Sequence, residues 1–211
     1  MWKTIGTPIA SPNQTDAHMT EVRNWLQQFS PLSDKAWSSL EKRLVGKKLC
    51  ANERFHRAGQ RAGSIGFLVG GALYARYTGA KRRHSVAYFN LPSVNRVVCD
   101  LESFTSSEVS KTDIIAVEPS TLLVLSRKDL YTLYDQHQEI ERLGRRLMEY
   151  SYCKVMERIS RMELKQRARL EDLESRYPEV IQCFQDQLIA DYLGIGKTRF
   201  STLKRELLRA A

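Results

Sequence analysis

The 211-residue sequence predicts an α+β chain: an antiparallel barrel or jelly roll, then one long helix, then a helix-turn-helix. Three observations carry this. Between Lys47 and Ser126, short apolar or alternating runs recur at close spacing, separated by glycines, as in a sheet of many short antiparallel strands. From about Gln136 to Leu173, apolar residues return every three or four positions among Glu and Arg, the period of a helix. From Asp186 to Leu208, an apolar helical stripe is interrupted once, by Gly194-Ile195-Gly196, and resumes at Lys197.

Residues 1–19 read as a flexible tail, because the stretch through His18 contains Thr, Pro and Ser and has no period. Thr20 to Phe29 reads as helix, with Val22, Trp25, Leu26 and Phe29 on one side. Ser33-Asp34 can cap a second helix carrying Trp37, Leu40 and Leu44. The strand-like runs are Lys47–Cys50, Arg54–His56, Ile65–Val69, Leu73–Tyr77, Ser85–Phe89, Ile114–Val117 and Leu122–Leu125. Lys81-Arg82-Arg83-His84 follows Gly79 in what reads as a hairpin tip, a solvated turn rather than a ligand site. Ser126 caps a short helix from Arg127 to Tyr134, closing a sensor domain over residues 20–134.

On the long helix, assigned to residues 135–173, Ile140, Leu143, Leu147 and Tyr150 start a stripe that Val155, Ile159 and Met162 resume. A stripe this long on a charged helix needs a cover. A second copy of the helix would supply it as a parallel seam, with Leu143, Leu147, Val155, Ile159 and Met162 as the dimer interface. Packing on the chain's own barrel is the alternative. Tyr177-Pro178 then marks a break.

Residues 174–211 are the helix-turn-helix unit. Ala190 lets its helices approach, Gly194 can take the positive φ of a sharp turn, and Ile195, Phe200 and Leu203 fit the core between them. Opposite Phe200, Leu203 and Leu207, the second helix carries Thr198, Ser201, Thr202, Arg205 and Arg209, side chains suited to base edges and phosphates. Lys197, Thr198, Arg199, Ser201, Thr202 and Arg205 are therefore the candidate DNA contacts. Gly196-Lys197-Thr198 mimics the end of a phosphate-binding P-loop, but position 191 is Asp rather than Gly and a helix precedes the turn.

Net charge is +9, which favours polyanionic partners. The excess does not sit in the DNA reader: residues 1–98 carry +10, residues 99–135 carry −4 and residues 136–211 carry +3. From Gly194 onward, however, there are five basic residues against Glu206 alone. Cys50, Cys99, Cys153 and Cys183 lie far apart, which fits reduced thiols rather than a disulfide framework or a metal cluster. No apolar run reaches transmembrane length and no signal peptide is evident, so the cytoplasm is the expected location.

The order barrel, long helix, terminal helix-turn-helix resembles the Crp/Fnr superfamily of transcription regulators (cyclic-AMP receptor protein and fumarate–nitrate reduction regulator) over residues from about 20 to 208. Phe55-His56-Arg57-Ala58-Gly59, Ile115-Ala116-Val117-Glu118-Pro119-Ser120 and Ile189-Ala190-Asp191-Tyr192-Leu193-Gly194-Ile195 carry the resemblance, the last most specifically. It implies a cyclic-nucleotide-binding-like β-roll (jelly roll) that senses a small molecule. It implies a homodimer on a two-fold symmetric operator. Double-stranded DNA and a second copy of the chain are the implied partners, with RNA polymerase a further candidate. The family's phosphate-binding cassette maps to the region from Leu101 to Thr112, making Glu102, Ser103, Lys111 and Thr112 the effector candidates. No Arg lies between Cys99 and Ser126, and Lys111 cannot supply a bidentate fork, so cyclic AMP is not the expected effector. The N-terminal cysteine cluster of the iron–sulfur branch is absent, haem is not indicated, and no cofactor or metal is expected. Where the family's best-known operator is read by Arg, then Glu, then Arg, this chain has Lys197, Thr198 and Thr202, which implies a different operator.

The alternative function is a non-DNA sensor or adaptor that uses barrel and terminal helices for protein contacts. An enzyme is disfavoured, because no nucleophile–base set, metal spacing or phosphate loop stands in the sequence.

Overall fold

The computed structural model describes residues 12–79 and 86–210. Helices α1 (Pro12–Gln27) and α2 (Asp34–Glu41) lead into strands β1 (Val45–Leu49), β2 (Arg54–His56), β3 (Ser64–Gly70), β4 (Leu73–Tyr77), β5 (Val86–Asn90) and β6 (Val97–Val98). Helix α3 (Leu101–Ser106) precedes β7 (Thr112–Ala116) and β8 (Ser120–Ser126). Helices α4 (Arg127–Gln136), α5 (Gln138–Met162), α6 (Gln166–Arg176), α7 (Pro178–Cys183), α8 (Asp186–Leu193) and α9 (Lys197–Ala210) complete the chain. The fold is α+β. Two four-stranded antiparallel sheets, ordered β1-β8-β3-β6 and β2-β7-β4-β5, face each other as a jelly roll.

The alternation along each strand explains the layers. In β3 and β8, Leu68 and Leu122 point between the sheets, where they bury with Leu49, Leu73, Ile114 and Ala116. Phe67, Leu123 and Leu125 point the other way and bury against Val22, Leu26, Trp37, Leu40, Leu133 and Ile140. Both faces of this sheet are thus covered, which is why β8 reads as a continuous apolar run. The second sheet is covered at β5 by the C-terminal helices: Val86 and Phe89 bury with Phe184, Ile189 and Leu193. Phe89 lies 4.2 Å from Phe184 and 5.0 Å from Tyr192, between ring centroids.

Local signals place the helices. Ser33 Oγ accepts the Ala36 N–H at 3.2 Å and Ser126 Oγ accepts that of Asp129 at 3.0 Å, so both predicted caps are made. The first helix starts earlier than its apolar period suggests. It takes in residues 12–19 from the expected tail, with Pro12 at its first position, where a missing N–H costs nothing. Residues 1–11 and the basic tip at Lys81–His84 lie outside the described residues.

The long helix is not one helix. The Leu164 N–H turns back to Arg161 O at 3.0 Å and that of Glu163 to Ser160 O at 3.3 Å, tightening the last turn of α5. Lys165 is extended, and α6 starts again beyond it. The break lets Leu170 and Leu173 swing into the core of the C-terminal helices.

Candidate functional site

The helix-turn-helix is built as its residues require. Gly194 adopts φ +67° at the end of α8, and the Ile195 N–H closes the turn on Ala190 O at 2.9 Å. Ile189, Ala190, Leu193, Ile195, Phe200 and Leu203 are all buried together. Phe200 is 1% exposed, and truncating such a side chain costs about 3–5 kcal/mol. Lys204 Nζ on α9 donates to the Asp186 carboxylate of α8 at 2.6 Å, a surface tie between the two helices.

With Phe200 and Leu203 turned inward, Lys197, Thr198, Ser201 and Arg205 stand exposed on α9. Thr202 is half-buried and its hydroxyl donates to Thr198 O at 3.1 Å. Arg205 has no ion pair among the described residues. Arg199 is exposed too, but it lies to one side of this row and pairs with Glu206 at 3.9 Å. The Arg209 side chain lies outside the described residues.

The expected dimer stripe is split between two faces. Leu143 and Leu147 are buried inside their own chain with Ile140, against the first sheet and α4. This corrects their assignment to a seam: the first half of α5 crosses the barrel, and Gly144 lets it approach α4. A Cβ at Gly144 would come within 2.6 Å of Tyr134 Cζ. Tyr134 is half-buried there, and burial pushes its phenol up to about 12. Val155, Ile159 and Met162 remain exposed, joined by Met148 and Tyr152. Their steps of four, three, four and three follow the 3.5-residue period of a helix seam.

A groove of about 530 Å³ opens between the barrel, the second half of α5 and the C-terminal helices. Of the effector candidates, exposed Glu102 and buried Thr112 line it. Ser103 and Lys111 do not. Ser103 Oγ accepts the Ala62 N–H at 3.0 Å and donates to Glu108 O at 2.5 Å, pinning α3 to the barrel. Lys111 is exposed and offers its carbonyl to the Thr78 N–H at 2.9 Å. The groove's inner wall includes Tyr88, whose hydroxyl donates to Cys99 O at 2.8 Å. The Cys99 thiol is pushed well up by burial.

No family model and no curated protein sequence matches the chain. Its architecture does match solved structures. It is similar to FixK2 from Bradyrhizobium japonicum at 15% identity and TM-score 0.64, over 79% of this chain and 85% of that one. It is similar to the c-di-GMP responsive global regulator CLP of Xanthomonas campestris at 14% and 0.62, over 84% and 93%. A crp/fnr-family regulator from Eubacterium rectale matches at 11% and 0.65, over 85% of each chain. The fold is that of the Crp/Fnr regulators.

Within this Crp/Fnr fold, one residue that sequence reasoning passed over joins the parts. Arg158 on α5 donates to Val86 O at 2.9 Å, to Ala87 O, and to Tyr192 O at 3.4 Å, and its guanidinium lies 4.5 Å over the Tyr192 ring. Burial lowers its pKa, because a guanidinium out of water is harder to keep charged. In the sequence it stands between Lys154 and Arg161, where it looks like one more cation on a solvated face. Only the docking of α8 against β5 distinguishes it.

Proposed function

We propose that the chain is a sequence-specific, DNA-binding transcription regulator of the Crp/Fnr type, acting as a homodimer on an inverted-repeat operator. One observation carries this: the outward row Lys197, Thr198, Ser201 and Arg205 of α9 is exposed on a helix whose other face is fixed by Phe200 and Leu203. Arg can fork onto a guanine and Thr can meet a thymine methyl. Lys197, at the helix start, suits a phosphate. The exposed apolar residues of α5 supply a reason for a second copy. Val155, Ile159 and Met162 also edge the groove, so a partner helix on that stripe would close its open side.

The sensor role rests on the groove. Cyclic AMP fits the cassette region poorly, because that region holds no Arg and its one Lys, Lys111, lies outside the groove. Selection of bound DNA from a random pool tests the main proposal. Two half-sites roughly 34 Å apart, one DNA turn, are expected. A pool that shows no enrichment over repeated rounds contradicts it.

A further inference from the structure

From the groove beside Arg158 we infer that this chain binds a small organic anion with an aromatic body, its carboxylate on Arg158. We also infer that binding releases the helix-turn-helix from the barrel. The volume, about 530 Å³, is in the range of small-molecule sites. Its walls are aromatic: Tyr88, Phe89, Tyr150, Tyr177 and Tyr192 all line it.

The cations there are not equivalent. Arg161 is matched by Asp172 at 3.0 Å and Glu157 at 3.3 Å. Lys154 rests on the Tyr177 hydroxyl at 2.9 Å, with Glu157 at 3.9 Å. Arg158, half-buried, has no carboxylate in ion-pair reach among the described residues and donates to main-chain carbonyls alone. The neighbouring acids do not serve it. Asp100 caps α3 at Ser103 N–H and takes the Ser110 hydroxyl at 2.5 Å, and Glu102 is exposed.

A planar fork matched only to neutral oxygens gains a charge-assisted pair when a carboxylate arrives. The carbonyls that give it up belong to β5 and α8. A ligand on Arg158 therefore trades places with the contact that holds α8 against the barrel. The regulatory consequence rests on the proposed DNA role, but the binding and the release do not.

The test is calorimetry of the full chain with 2-naphthoate and its uncharged isostere 2-naphthamide, with hydrogen exchange of amides 186–193 as second readout. Naphthoate should bind at least about tenfold tighter than naphthamide. Arg158→Gln should erase the preference, Arg158→Lys should keep part of it, and Arg161→Gln should leave it intact. Naphthoate, not naphthamide, should speed exchange across α8. Equal affinity for the two probes, no binding of naphthoate at about 1 mM, a preference that survives Arg158→Gln, or unchanged exchange in wild type each overturns the inference. Neither readout uses DNA, so a failed operator search leaves this result standing, and the reverse.

Discussion

The Arg158 guanidinium lies 4.5 Å over the Tyr192 ring, and through it α5 holds the first helix of the helix-turn-helix against β5. Arg158→Met keeps the aliphatic packing and removes the donors. Hydrogen bonds from a charged group contribute about 1.5–3 kcal/mol, less where solvent screens them. The local opening free energy of α8, read by hydrogen exchange without ligand, should fall by about 1–2 kcal/mol. Unchanged protection would mean that Phe89, Phe184 and Tyr192 hold the contact by themselves.

Gly144 gives a sharper packing test. In an open helix, Gly→Ala stabilises by about 1 kcal/mol. Here the new methyl would meet the Tyr134 ring, so Gly144→Ala should destabilise by about 1–3 kcal/mol in urea unfolding. Adding Tyr134→Ala should make the same substitution neutral or favourable, since the obstruction is gone.

The two halves of α5 should answer differently to charge. Val155→Asp with Ile159→Asp changes exposed positions and would put four carboxylates in the proposed seam, so sedimentation should show a folded monomer where wild type should sediment as a dimer. Leu147→Asp buries a charge inside its own chain and should instead unfold it, at a cost of several kcal/mol. A wild-type monomer at micromolar concentration would remove the seam.

That contrast also shows what the sequence made legible. The strands, both serine caps and the core of the helix-turn-helix follow from period-2 and period-3.6 patterns with local capping chemistry. The stripe from Ile140 to Met162 was legible as apolar but not as two faces, because periodicity says nothing about where a helix leaves its barrel. The stop at Glu163–Lys165 has no Gly or Pro to announce it; beyond it Leu170 and Leu173 bury with Phe184 and Ile189. Strand β6 has two residues, and α3 is a single short helix capped by Asp100, so neither is long enough to establish a period. At the candidate site the outward row of α9 was legible from helix geometry. Arg199 stood among the candidate contacts, and its lateral position and Glu206 partner came only with the fold. Ser103 and Lys111 came from the family's cassette, and their placement depends on how this α3 docks.

Cyclic AMP should not bind with useful affinity. Its phosphate would find no arginine in the cassette, where the resemblance places the phosphate-binding residue, and Lys111 cannot supply a bidentate fork. Titration calorimetry should show no saturation at low-micromolar nucleotide; a clear low-micromolar isotherm would contradict the proposal.

The most direct test of the central claim is a salt titration of DNA affinity for wild type, Lys197→Ala and Arg205→Ala, on a selected site and on random DNA. Lys197→Ala should weaken both DNAs alike and lower the salt slope by about 1. Arg205→Ala should cost about 1–3 kcal/mol on the selected site and relax one base position, or act like Lys197→Ala if it meets phosphate. Unchanged affinity and slope in both variants, on both DNAs, would contradict a DNA-reading α9.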